Sequence, residues 1–137
     1  MIEDAEFNPF SRYDGDLSVV YRDAPVGLGL LDCDLRYVWV NERLSKINGL
    51  PAGDHIGRTI FEVIPDVAEH VASAHLRVIE TGEPVRNLEI TATTPAAPNA
   101  LRNFLASYLP WKGDDNEIQG VSVVVEDITE RKEAEHL

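Results

Sequence analysis

Hydrophobic and polar positions change period several times along the chain, and each change marks an element. Val26 to Leu31 is a short apolar run whose glycines at 27 and 29 leave room for something to pack closely on a strand. Asp32-Cys33-Asp34 is turn chemistry. Leu35 to Val40 is β-branched and aromatic, with Tyr37 and Trp39 expected on one side and Val38 and Val40 on the other, so the two runs read as a tight hairpin. Asn41 then caps a helix that runs to about Asn48 and stops at Gly49, with Pro51 beyond. Thr59-Ile60-Phe61-Glu62 is a capping box and predicts a short helical turn. Pro65 opens the longest helix, which ends at Thr81-Gly82; its apolar face reads Ala68, Val71, Ala72, Val78 and Ile79, with His75 among them.

After Pro84 the period becomes two. Leu88, Ile90 and Ala92 alternate with polar residues, as in a half-buried strand. The stretch from Thr94 to Asn99 holds two prolines and predicts a loop. Leu101 to Leu109 follows as a strand with Phe104, Ala106 and Tyr108 on one face, and Lys112 to Asn116 is a turn. Ile118 to Val125 is the most apolar strand and is placed at the sheet centre. Thr129 to Leu137 is charged and helix-prone, with Ile128, Ala134 and Leu137 as a short apolar seam. Before all this, residues 1–16 read as a leader and Leu17 to Asp23 as a short helix stopped by Pro25. The order is two strands, three helices, three strands: an α+β fold, a five-stranded antiparallel sheet with helices on one face.

Composition narrows the function. Of 137 residues, 24 are Asp or Glu and 12 are Lys or Arg, a net charge of −12. That balance argues against a nucleic-acid surface and against docking on anionic lipid. With 44% apolar and 26% charged residues the chain is globular in character. Cys33 is the single cysteine, so there is no internal disulfide and no cysteine-based metal site, and a reducing, cytoplasmic location is expected. No run of apolar residues is long enough to span a bilayer. No phosphate loop, nucleophile elbow or zinc-binding motif is present, so no catalytic set is assigned.

A set of short stretches, in this order and spacing, carries a resemblance: Ala24-Pro25-Val26-Gly27-Leu28, Asp32 to Arg36, Val40-Asn41, His55-Ile56-Gly57-Arg58-Thr59, Ile64-Pro65-Asp66, Thr81-Gly82-Glu83-Pro84, and Gly120 to Val125 followed by Glu126 to Lys132. Over residues 17 to 132 the chain resembles the PAS domains of bacterial and archaeal sensor kinases and related signalling proteins. The resemblance implies a PAS-like fold over residues 17–127 and the start of a C-terminal output helix over 128–137. It implies a sensor or dimerisation module of a signal-transduction protein, a histidine kinase first, with a homodimer, a small-molecule ligand and an output domain as partners.

The resemblance also points to candidate residues. A cavity between sheet and helices would be lined by Tyr37 or Val38, Leu44, Ile60, Phe61, Val71, His75, Leu88, Phe104 and Val123, with Arg102 and Asn103 as polar contacts. On physical grounds alone, Asp127 or Thr129 can cap the last helix. In the family the matching pair is associated with signal transfer from the sheet to the output helix. His75 reads first as a packed core residue; its second reading is ligand contact, or axial ligation of haem iron as in oxygen-sensing relatives. Anchored on Pro65 and on Thr81 to Pro84, neither His75 nor His70 falls at the family's ligand position, so haem is not expected. Light-sensing relatives need a cysteine where this chain has Asp54 to Arg58, which excludes a flavin adduct, and no cofactor is required. A ligand-free dimerisation scaffold and a small α+β enzyme are the alternative readings.

Overall fold

The structure, a computed structural model, describes residues 26–135. The leader and the helix expected over Leu17 to Asp23 lie outside the described residues. The elements are β1 (Gly27–Asp32), β2 (Tyr37–Val40), α1 (Glu42–Asn48), α2 (Ala52–His55), α3 (Ile60–Val63), α4 (Ala68–Thr81), β3 (Val85–Thr94), β4 (Ala97–Lys112), β5 (Ile118–Asp127) and α5 (Thr129–Glu135). The five strands form one antiparallel sheet in the order β2-β1-β5-β4-β3. The apolar β5 is central, as its composition predicts. Helices α1 and α4 pack on the sheet, and α3 packs on α4.

Local sequence explains most of the boundaries. Asn41 caps α1 by accepting from the Leu44 N–H, and Gly49 closes it in the left-handed region. Thr59 and Glu62 make the reciprocal capping box of α3. The glycines of β1 admit α1: a Cβ on Gly29 would stand 2.9 Å from Leu44 Cδ2, and one on Gly27 3.0 Å from Leu44 Cδ1.

Other boundaries differ from the sequence-based expectation. Alternation fails in β2, where Tyr37 and Val40 are buried while Val38 and Trp39 are half-buried. Leu30 pairs with Trp39 but Leu31 pairs with Tyr37, so Val38 is an extra residue and the facing is reset across it. The long helix starts at Ala68, not Pro65. Ile64 to Val67 form a turn in which the Val67 N–H donates to the Ile64 carbonyl at 3.2 Å, and Val67, at φ −123° and ψ 1°, is outside the helical region, so the helix begins only after it. The one-turn helix α2 was not anticipated, because Ala-Gly-Asp-His carries no period. The expected loop from Thr94 to Asn99 is instead a two-residue turn, Pro95-Ala96, and β4 resumes at Ala97. Pairing of β4 with β5 starts only at Phe104, so Pro98 lies where β4 has β3 alone beside it. Pro110 lies past Tyr108, where β4 has only β5 beside it. A proline on such a free edge removes no ladder bond.

Of the apolar seam expected in the last helix, only Ile128 is placed differently. Ile128 is buried in the domain and Ala134 is exposed, while Leu137 lies outside the described residues.

Candidate functional site

Between the sheet and helices α1 and α4 lies a cavity of about 60 Å³. Six of the expected residues line it: Tyr37, Leu44, Val71, His75, Phe104 and Val123. The others do not. Val38 is turned aside by the irregularity in β2. Phe61 is 49% exposed, because a single helical turn can bury only Ile60 and Val63, one turn apart, and leaves the residue between them outside. Ile60 is fully buried in the core but does not line the cavity. Leu88 packs on the core at the far end of β3. Arg102 and Asn103 lie where β4 meets the last helix, outside the cavity.

Wall residues that the sequence reading missed include Asn48, Ile64, Val67, Ile90, Thr94 and Tyr108. Ile90 and Tyr108 carried a usable signal, since each shares a strand face with a residue that was singled out. No Asp, Glu, Lys or Arg lines the cavity.

Two histidines, both fully buried, differ sharply. His55 sits at the end of α2 with its Nε2 3.1 Å from Asn48 Nδ2 and its Nδ1 3.1 Å from the Pro51 carbonyl. That arrangement fits the neutral tautomer with the proton on Nδ1, donating to Pro51 and accepting from Asn48. Burial lowers its pKa. His75, on α4, has no hydrogen-bond partner for either ring nitrogen. Its ring meets Tyr108 edge-on, centroids 5.1 Å apart at 66°. Burial pushes its pKa down to about 4, so the ring is neutral at pH 7. Burial likewise raises the Tyr108 hydroxyl to about 12.

A second feature adjoins the cavity. Where β5 ends, Asp127 Oδ1 accepts from the Thr129 N–H at 3.0 Å and from the Thr129 hydroxyl at 2.6 Å. Asp127 Oδ2 accepts from Arg102 Nε and Nη2 at 3.0 and 2.8 Å. Burial alone would raise the Asp127 carboxyl, but the Thr129 bonds and the Arg102 guanidinium outweigh it and hold the group below its ordinary value. Thr129 does not cap: its Oγ1 accepts from the Asn103 N–H at 2.8 Å, reaching across to β4. The Ile128 N–H donates to the Asn103 carbonyl at 2.8 Å, and Lys132 Nζ reaches Glu89 Oε1 on β3 at 2.8 Å. The helix is thus fastened to β4 through Asn103, next to Phe104 of the cavity wall.

An open groove of about 530 Å³ adjoins this junction, lined by Arg43 and Lys46 of α1, by Arg102, and by Glu126, Asp127 and Glu130. Ile47, Thr94 and Phe104 line both groove and cavity. Cys33 is exposed in the β1–β2 turn, and burial together with Asp32 and Asp34 raises its pKa. Among the described residues no cluster of His, Cys, Asp or Glu is placed to hold a metal ion, and no helix is long and apolar enough to cross a membrane.

A family model described as the PAS fold matches residues 21–133. The chain belongs to the PAS family. No curated protein matches this PAS domain by sequence. Among solved structures, VqmA of Vibrio cholerae in a ligand–DNA complex is 27% identical, with a TM-score of 0.72 over 83% of this chain and 51% of that one. The VqmA dimer without target DNA is 26% identical, with a TM-score of 0.73 over 85% and 52%. A sensory box sensor histidine kinase from Vibrio cholerae shares the fold at 17% identity, with a TM-score of 0.65 over 82% and 88%. The PAS domain described here spans about half the length of the VqmA chains it matches.

Proposed function

We propose that this PAS domain is a cytoplasmic sensor module without catalysis of its own. On this reading it binds a small molecule in the cavity and passes the change to α5 through Asp127-Ile128-Thr129. The observation that carries the reading is the adjacency on β4: Phe104 lines the cavity and pairs with Asp127, while Asn103 holds both Ile128 and Thr129. A ligand that favours one packing of β4 thereby favours one seating of the helix, through its differential affinity for the two states. No haem and no flavin adduct enters this reading.

The output domain and the dimer are part of the same proposal. VqmA, the more similar neighbour, is a dimer whose ligand-bound structure contains DNA, which supports a DNA-binding regulator as the parent protein. In that case the parent protein contacts nucleic acid through another domain, and this acidic domain does not. A histidine kinase is the second reading and rests on fold likeness alone.

The test is Asp127→Ala and Thr129→Val in the full-length protein, read as output with and without an added small-molecule extract of the host cells that changes the output of the wild type. Both variants are expected to keep ligand binding and lose the response. Unchanged signalling in both would overturn the transfer route. A ligand-free scaffold, consistent with the small cavity, predicts a dimer with no co-purified molecule in native mass spectrometry.

A further inference from the structure

His55 shows what a structural histidine looks like in this domain: fully buried, with both nitrogens partnered. His75 is as deeply buried, lies against the cavity, and has neither nitrogen partnered. A buried polar group left unpaired is destabilising, and an aliphatic side chain would fill the position without that cost. A buried imidazole with no protein partner is matched by a cavity occupant that hydrogen-bonds it. A neutral imidazole has one donor and one acceptor. The wall carries no charged side chain, so an ion seated there would lose its hydration with nothing to replace it.

We infer that the cavity takes a compact, uncharged molecule bearing a hydrogen-bonding group, and that His75 is its polar anchor through one ring nitrogen. The inference rests on the sensor reading and adds the ligand's chemical class. Size supports it. A cavity of about 150 Å³ admits benzene, while this one measures about 60 Å³. A ring-sized ligand must push the wall outward to be seated, and β4 is part of that wall.

The test compares two probes, 2-pyridone, uncharged with one donor and one acceptor, and benzene. Wild-type protein is expected to bind 2-pyridone at least tenfold more tightly than benzene. In protein labelled with ¹⁵N-histidine, 2-pyridone is expected to shift the His75 ring nitrogens and leave those of His55 in place. In His75→Phe the preference for 2-pyridone should vanish while benzene still binds. Should that variant not fold, the ring-nitrogen spectrum of the wild type decides alone. If 2-pyridone binds without moving the His75 nitrogens, or His75→Phe keeps the preference, the anchor is wrong and the sensor reading stands. If neither probe perturbs any cavity residue, the ligand class proposed here falls, while the sensor reading stands or falls by the output of Asp127→Ala and Thr129→Val.

Discussion

Asn41 joins three backbone groups. Its Oδ1 accepts from Leu44 and Leu28 N–H groups, each at 2.9 Å, and its Nδ2 donates to the Val26 carbonyl at 3.1 Å. Asn41→Ala removes a helix cap and leaves the Leu28 N–H unpaired in a tightly packed strand, so a loss of about 2–3 kcal/mol is expected in urea unfolding. His75 sets a pH dependence. Its folded pKa of about 4 lies below the ordinary 6.5, so the unfolded chain takes up a proton first as pH falls. The contribution to stability is complete above about pH 6.5, falls between there and about pH 4, and is spent below. A difference of this size is worth roughly 3 kcal/mol. Unfolding free energies of wild type and His75→Phe at pH 7 and pH 4.5 should show the steeper loss in the wild type; parallel losses would dismiss the effect. At this scale the caps at Asn41 and Thr59 were legible, because a cap is decided within four residues. The isolation of His75 was not, because it depends on what β4 brings opposite α4.

Elements obey the same division. The period-two strands and the central place of β5 could be read directly, whereas the β3–β4 hairpin could not. There the prolines pointed to a loop, and only the unequal lengths of β4 and its neighbours show why they are tolerated. Close approach separates the glycines of the sheet. A Cβ on Gly120 would collide with the Leu31 carbonyl oxygen, which is backbone and cannot yield without breaking the β1–β5 ladder. A Cβ on Gly29 meets the end of Leu44, which can turn away. Gly120→Ala should therefore be the more damaging substitution, losing soluble yield or lowering Tm by well over what Gly29→Ala does; thermal melts of the pair settle the order.

In the whole molecule the exit helix is part of the folded body. Thr129→Val removes the acceptor for the Asn103 N–H and the donor to Asp127 while keeping the side chain's size. Amide exchange at Asn103 and Ile128 is expected to speed up at least tenfold, with exchange in α4 unchanged. Lys132→Ala, which removes only an exposed ion pair, should move it far less. The layout of the domain, sheet behind and helices in front, was readable from the order of periods. Only six of the 17 residues of the cavity wall were, since which side chain turns inward depends on irregularities such as the one at Val38.

Ile47, Thr94 and Phe104 stand as a party wall between inner chamber and outer trough. Phe104 is paired in register with Asp127, whose carboxylate accepts from the first residue of the exit helix. On the sensor reading proposed above, a guest that displaces Phe104 therefore disturbs the seating of the rod from the trough side as well as from the chamber.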